Sequence, residues 1–312
     1  MKTIKILFLI LLIAVTCANS QADEWTRDSL DNRRAIANNS NPPARKIPVN
    51  FLDPVNDNGI IRRVKLPEGV KAISLTFDMC ELDTITTGCD MDVINFLRGE
   101  NIPATLFMGG KWMRTHSRRV MQIMSAKNFE IANHNWSHGN CALLSDSGLR
   151  AQILWTQSQY ELLREESEND DIPPSMGLFR LPYGRSSKRA INIINSLGLK
   201  IIQWDVAAEA GNNENIKTAR RNALKVANMT RPGSILLFHA NLVPKGTINL
   251  LREVIKILSE RGYNFVTVSE LLSMGEPEFT QDGYFTSPGD NLTLDKKFGI
   301  DGTGRKTRFN GE

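Results

Sequence analysis

Short apolar runs alternate with longer amphipathic segments along the chain from residue 71 onward. A short apolar run predicts a buried strand, and a segment with apolar residues at helical spacing predicts a helix. The predicted strands span 72–77, 103–108, 129–132, 178–181, 200–206, 234–239 and 264–268. The predicted helices span 92–98, 111–127, 146–166, 187–197, 215–229 and 247–261.

This alternation predicts an α/β fold with a parallel sheet. Strands that are apolar at nearly every position are typical of parallel sheets, because both faces of such a sheet are covered. Seven strands that alternate with six helices favour an incomplete barrel over an open sheet, although periodicity alone leaves both open. We expect this unit to span residues 71–275.

The two flanks of this unit have a different composition. Residues 21–70 form an expected N-terminal extension, whose first half is rich in Asn, Asp and Arg and contains Pro42 and Pro43. Residues 276–312 are rich in Gly, Asp and Lys and have few apolar residues. Such a segment cannot bury much apolar surface, so we expect a loosely ordered C-terminal tail.

Residues 1–20 have the pattern of a secretory signal peptide. Two lysines precede an apolar run from Ile6 to Val15, which is too short to span a bilayer. Ala18 and Ser20 are small residues at the spacing of a cleavage site. An uncleaved anchor is the alternative. The pattern predicts a secreted or periplasmic protein with no membrane attachment beyond export.

Composition and charge are those of an ordinary globular protein. Hydrophobic residues make up 41% of the chain and charged residues 23%, and the formal net charge is +4. Loss of Lys2 and Lys5 with the leader would lower that charge to about +2. This charge is too small to favour nucleic acid as a partner, and arginines do not interleave with aromatic residues. The sequence does not indicate an oligomeric state.

Three cysteines remain after the expected leader, namely Cys80, Cys89 and Cys141. An exported protein folds in an oxidising compartment, where disulfides form. An odd number allows at most one intramolecular disulfide. We favour a bond between Cys80 and Cys89, which would close a short loop, and a buried free thiol is the alternative.

Polar side chains collect where the predicted strands end, which is where parallel strand–helix folds place their active sites. His134 and His138 follow the third strand, and a pair of imidazoles is a common half of a divalent metal site. Asp78 and His239 end the first and sixth strands, and the fourth strand carries Arg180. Singly, these three have ordinary alternatives as a helix cap, a structural ion pair and a buried histidine. Together they favour one functional site.

Four motifs contain these residues and follow one another in a fixed order. They are Thr76 to Asp78, His134 to His138, Arg180 to Gly184, and Leu237 to His239. In order and spacing they resemble the motifs of NodB-type polysaccharide deacetylases, a family of metal-dependent carbohydrate esterases. The first of them continues through Met, Cys and Glu, a variant that resembles a subgroup of this family. The resemblance covers roughly residues 71–275 and implies a distorted (β/α)7 barrel.

The resemblance implies that His134 and His138 bind a divalent metal, usually zinc. The metal would polarise an acetyl carbonyl and lower the pKa of a bound water. The family usually supplies a second aspartate directly after the catalytic one as a metal ligand, but Met79 stands there, and a thioether cannot replace a carboxylate on such an ion. We expect Asp90 as the third ligand. The alternatives are Glu81 and Asp83.

The resemblance also implies the catalytic roles. Asp78 resembles the general base, and Arg180 resembles the arginine that orients it. The backbone N–H near Tyr183 would help to hold the oxyanion, and His239 resembles the general acid that protonates the leaving amine. The family usually holds this arginine with an aspartate and a tryptophan beyond the fifth strand. Either Asp205 or Glu209 is expected to take that place.

Together these features predict an exported, metal-dependent hydrolase that removes N-acetyl groups from a polysaccharide such as peptidoglycan or a chitin-like glycan. One alternative is a non-catalytic glycan-binding protein on the same barrel. Another is a hydrolase of a different amide or imide, because the same side chains suit any carbonyl that needs a polarised water. Which glycan is the substrate depends on loop shape, which the sequence does not reveal.

Overall fold

A curled and mostly parallel sheet forms the centre of the structure, a computed structural model that describes residues 24–27, 31, 41–57, 59–82 and 85–300. The expected leader, residues 1–20, and the candidate ligand Asp83 lie outside the described residues. The strands are β1 (Ile60–Lys65), β2 (Ala72–Met79), β3 (Ala104–Met108), β4 (Phe129–Asn133), β5 (Leu178–Phe179), β6 (Lys200–Ile202), β7 (Val206–Ala207), β8 (Ile235–His239), β9 (Asn264–Phe265) and β10 (Glu276–Thr280).

Helices follow most of these strands. They are α1 (Met91–Gly99), α2 (Gly110–Thr115), α3 (Ser117–Met124), α4 (Asp146–Ser167), α5 (Lys188–Ser196), α6 (Ile216–Met229), α7 (Thr247–Glu260), α8 (Val268–Ser273) and α9 (Leu292–Phe298), with a short 3₁₀ turn at Pro182–Gly184. None of the helices in the described ranges is both long enough and apolar enough to cross a bilayer.

The strand order is β10-β1-β6-β5-β4-β3-β2-β8-β7, and β9 pairs separately with β2. All pairings are parallel except that of β1 with β10. Parallel neighbours need crossover connections, and these are the helices on the outside of the curl. The predicted distorted (β/α)7 barrel is confirmed.

The alternation of side chains along β2 separates the core from the site. All eight residues of β2 are buried. Every second residue points into the main hydrophobic cluster, together with α1 and α7; these residues are Ile73, Leu75, Phe77 and Met79. Thr76 and Asp78 lie on the opposite face, where both bond to Arg180. A strand has a side-chain period of two, so the next residue on this inner face is Cys80.

The predicted long helix 111–127 is two helices, α2 and α3, which meet at His116. The backbone of His116 has φ −109° and ψ 34°, outside the helical region. Its buried ring stacks on Trp112 and its Nε2 donates to the carbonyl of Thr87 at 2.9 Å. These tertiary contacts replace the helical continuation that the periodicity predicts.

The predicted strand 200–206 is likewise interrupted. Its first part, β6, pairs with β5 and β1, whereas β7 pairs with β8 at the other end of the strand order. The residues between them include the buried Trp204. This segment therefore connects two parts of the sheet that are distant in the strand order.

Both flanks contribute to the sheet. β1 lies within the expected N-terminal extension and pairs with β6, and β10 pairs along β1 as an edge strand. The expectation of a loosely ordered tail is wrong for residues 276–300. This segment needs little apolar surface, because backbone pairing and polar contacts hold it, including two bonds from the Arg185 guanidinium to Asp295 at 2.8 and 2.7 Å.

The favoured disulfide between Cys80 and Cys89 is not formed. The sulfur of Cys89 instead lies in the core, 3.7 Å from the sulfur of Met91 at the start of α1. Cys80 is on the inner face of the sheet beyond β2. The two side chains therefore point into different environments.

Candidate functional site

The carboxyl ends of β2, β4, β5 and β8 converge on one polar site. Asp78 lies near the end of β2 and His239 ends β8, and the two are direct neighbours in the register of these strands. His134 follows β4 and Arg180 follows β5. The structure thus brings together four of the residues that the sequence places at strand ends.

Arg180 and Asp78 form a buried ion pair at the base of this site. Arg180 is fully buried, and its Nη1 donates to Asp78 Oδ1 at 2.9 Å and to Thr76 Oγ1 at 2.7 Å. Its Nε and Nη2 donate to the carbonyls of Ile202 and Gln203 at 3.3 and 3.2 Å. Each of the three guanidinium nitrogens therefore donates to at least one acceptor. A charge that is buried away from water needs such partners.

The residues expected to hold Arg180 have other partners. Asp205 accepts from the hydroxyl of Ser234 at 2.8 Å and from the N–H of Ile235 at 2.9 Å. Glu209 lies 2.6 Å from the Nδ1 of His239. The expectation that Asp205 or Glu209 holds Arg180 is wrong, because backbone carbonyls of β6 and the residue after it do so instead.

His134 has a defined tautomer. Its Nδ1 lies 3.0 Å from the carbonyl oxygen of Arg180, which can only accept, so Nδ1 is the protonated nitrogen. Burial lowers the pKa of His134, although Asp78 opposes this shift, so the ring is neutral. The Nε2 lone pair then has no hydrogen-bond partner among the described residues and lies 3.4 Å from Asp78 Oδ2. Two acceptors this close are stabilised by a cation between or beside them.

His138 is the second neutral imidazole. Burial, followed by the proximity of His134 and His239, holds its pKa well below the usual range. Its Nδ1 is also buried with no hydrogen-bond partner in the part of the chain described here. A neutral imidazole whose lone pair accepts no hydrogen bond is the form that binds metal ions.

The ligand atoms of Cys80, His134 and His138 all lie within 4.8 Å of one another, and we call these residues the metal-ligand group. Burial raises the pKa of the Cys80 thiol, and the charges of Asp78 and Glu81 add to the shift. We did not predict Cys80 as a site residue from the sequence. The alternation along the first strand was the available signal, because it places Thr76, Asp78 and Cys80 on one face.

Two of the carboxylates expected as the third ligand, Asp90 and Glu81, are not members of the metal-ligand group. Asp90 caps α1 and accepts from the N–H of Val93 at 3.3 Å, and burial raises its pKa to about 6. Glu81 accepts from the N–H of Thr87 at 3.2 Å and from the hydroxyl of Thr115 at 2.9 Å. Both side chains therefore have partners outside the metal-ligand group.

His239 and Glu209 form the second charged pair of the site. Burial alone would lower the pKa of His239, but the hydrogen bond and the negative charge of Glu209 outweigh it, so the pKa is raised. Thr247 donates its hydroxyl to the other oxygen of Glu209. The pair therefore favours a protonated imidazole beside the metal-ligand group.

Tyr183 lies against the same group. It sits in the 3₁₀ turn with φ 60°, and its ring contacts His138 edge-on at 4.4 Å between centroids. Asn135 and His138 also have positive φ, at 67° and 57°. Such conformations cost about 1–3 kcal/mol each and are typical of functional sites. The other face of Tyr183 stacks on Phe298 of α9 at 5.4 Å, a contact that the sequence did not predict.

The chain is similar to known deacetylases. The sequence model of the family described as polysaccharide deacetylase matches residues 65–202. The peptidoglycan-N-acetylglucosamine deacetylase PgdA of Listeria monocytogenes is 29% identical over 238 residues, which are 74% of this chain and 47% of PgdA. The chain thus spans about half the length of the first curated relatives that it matches.

Solved structures share the fold. Peptidoglycan deacetylase PdaC from Bacillus subtilis matches with a TM-score of 0.54 and 25% identity, over 67% of this chain and 93% of PdaC. A pseudoenzyme of carbohydrate esterase family 4 from Bacillus anthracis matches with a TM-score of 0.56 and 23% identity, over 70% of this chain and 71% of that one. At this identity, the second likeness shows the fold alone.

Proposed function

The chain belongs to the polysaccharide deacetylase family, and from that premise we propose that it is an exported, metal-dependent hydrolase that removes N-acetyl groups from a glycan such as peptidoglycan. The observation that carries this proposal is the bare Nε2 of neutral His134 opposite a carboxylate oxygen of Asp78. A divalent metal, with zinc as our expectation, fits the Nε2 of His134 and the imidazole of His138, with the Asp78 carboxylate close enough to act on a water there. When bound, such an ion polarises an acetyl carbonyl and acidifies water.

Asp78 is the proposed general base. Its Oδ1 is occupied by Arg180 at 2.9 Å, which leaves Oδ2 to accept the proton of the attacking water. Arg180 fixes the orientation of the carboxylate because its own position is set by Thr76 and two backbone carbonyls. Positioned proton transfer of this kind contributes typically about 10²–10⁴-fold to the rate.

His239 is the proposed general acid. The leaving nitrogen needs a proton because an amide anion is a poor leaving group. Glu209 supports the protonated form of His239 and fixes the ring through Nδ1, so that Nε2–H is the proton available for donation. The backbone N–H near Tyr183 is proposed to stabilise the oxyanion of the substrate.

Acetate release tests this proposal. The purified protein is incubated with peptidoglycan and with N-acetylated chito-oligosaccharides, after chelation and after addition of zinc or cobalt. We expect release that chelation abolishes and metal restores. Absence of release from every acetylated glycan, with the metal demonstrably bound, would contradict it. Fractionation of the producing cell tests export, which is supported by the pattern of residues 1–20.

A second candidate is a glycan-binding protein without activity. It is favoured by one observation, the burial of Met79 in the hydrophobic core, where it cannot replace the missing aspartate. Substoichiometric metal after purification, with glycan binding that a chelator does not change, would support this candidate over the hydrolase.

A further inference from the structure

We propose that the sulfur of Cys80 is the third protein ligand of the metal, so that a thiolate takes the place of the family's second aspartate. The inference rests on the proposed metal dependence and adds to it the identity and softness of the ligand set. A site with two imidazoles and one thiolate keeps positions open for water and substrate, as catalytic zinc sites require. A thiolate in place of a carboxylate also changes which metal ions the protein binds most tightly.

The geometry of β2 excludes Met79 and favours Cys80. Met79 is fully buried in the main hydrophobic cluster with Phe77. Cys80 is one residue further on, on the face that already holds Asp78. Because the sulfur lies within 4.8 Å of the ligand nitrogens of both histidines, one ion could contact all three side chains.

The surroundings fix the backbone of Cys80. Its carbonyl accepts from the Nδ2 of Asn241 at 3.0 Å and from the hydroxyl of Thr87 at 2.9 Å. The same Nδ2 lies 3.8 Å from the sulfur and can donate to it. Hydrogen bonds to a ligand sulfur and to its backbone are the outer contacts that orient metal ligands in proteins. Asn241 lies two residues after His239, so β8 positions both the general acid and this sulfur.

The competing acceptors are engaged elsewhere or only partly available. Asp90 caps α1 and Glu81 binds Thr87 and Thr115. Asp78 has one oxygen on Arg180 and the other 3.4 Å from His134 Nε2. Asp78 is therefore the main rival as third ligand, and an experiment must separate it from Cys80.

Metal selectivity follows from the donor set. Thiolate is a soft ligand, which favours zinc and cobalt over the hard ions magnesium and manganese. We therefore expect zinc and cobalt to bind much more tightly than manganese. Cys80→Asp would restore a carboxylate and reduce this preference.

Cobalt absorption tests the ligand directly, without an activity assay. The purified full chain is stripped of metal and titrated with Co²⁺, and bound cobalt is measured alongside the spectrum. We expect a near-ultraviolet charge-transfer band that reports a bond between thiolate and cobalt. Cys80→Ser should lose the band, and its cobalt affinity should fall by more than the roughly 10–100-fold that loss of an outer contact costs. Cys141→Ser is the matched control, because Cys141 is a buried free cysteine whose sulfur lies 3.8 Å from the Nδ2 of Asn135, next to His134, and it should keep the band.

The outcomes separate this inference from the proposed function. Stoichiometric cobalt without the band in the wild type, or a band that survives Cys80→Ser, would overturn the role of Cys80 and leave metal dependence standing. A wild type that binds no cobalt, zinc or manganese would overturn both. If Cys80→Ser does not fold, Cys80→Asp takes its place, and retention of cobalt without the band would support the inference.

Discussion

Replacing Arg180 by methionine should cost about 3–5 kcal/mol of folding free energy. Methionine keeps the apolar stem but removes a fully buried charge, and it leaves Asp78 buried without a cationic partner. Breaking one side of a buried ion pair typically costs this amount, because the remaining charge is uncompensated. Thr76 Oγ1 and the carbonyls of Ile202 and Gln203 also lose their donor.

Urea unfolding in the presence of a chelator measures this cost without a contribution from bound metal. Each kcal/mol of lost stability lowers the melting temperature by about 2–4 °C, so the same loss lowers it by roughly 6–20 °C. Arg220→Met is the matched control, because the Arg220 side chain is 70% exposed and its ion pair with Glu253 spans 3.7 Å. Such an exposed pair contributes about 0–1 kcal/mol.

A double variant separates charge burial from lost packing. In the Arg180→Met background, Asp78→Asn removes the buried carboxylate that has lost its cationic partner, and it should recover part of the lost stability. The ion pair does not stabilise the site if the free energy of unfolding of Arg180→Met is within about 1 kcal/mol of the wild-type value. The same conclusion follows if Asp78→Asn lowers the stability of Arg180→Met by as much as it lowers that of the wild type.

Three further predictions concern metal, pH and the displaced carboxylate. His138→Ala should abolish metal binding and activity together, whereas Asp78→Asn should keep most of the metal, measured by elemental analysis, and lose turnover. Glu209→Gln should move the high-pH limb of kcat/KM to lower pH, because the raised pKa of His239 keeps its acid form present to higher pH and loss of the Glu209 charge lowers that pKa. Asp90→Asn should leave metal content unchanged and raise the unfolding midpoint at pH 8 more than at pH 4. A carboxyl with a folded pKa near 6 contributes stability below its unfolded pKa and loses it as pH rises through 6.

Each of these predictions has a clear opposite. Loss of metal from Asp78→Asn would make that carboxylate a ligand and not the base. An unchanged pH profile in Glu209→Gln would remove His239 as the titrating acid. Loss of metal from Asp90→Asn would return Asp90 to the ligand set that the sequence first suggested.

The repeated strand–helix units follow from the order of apolar and polar residues. β2, β3 and β4 were predicted within one or two residues of their observed ends, because a buried strand between two layers must be apolar along its length. The positions of Asp78, His134, Arg180 and His239 also followed from the sequence, because parallel strands end at the same edge of the sheet. These features depend on periods of two and 3.6 residues, which are local.

Only the tertiary structure decided which side chains meet. Asp90 was expected near the imidazoles, but the fold of the loop after β2 makes it a helix cap and leaves Cys80 beside them. Glu209 was expected on Arg180, but the course of the chain between β7 and α6 places it on His239. The edge strand β10 lacks the apolar run of a buried strand, because backbone pairing with β1 holds it in place. Contacts of this kind depend on loop paths and strand register between distant segments, and no local period encodes them.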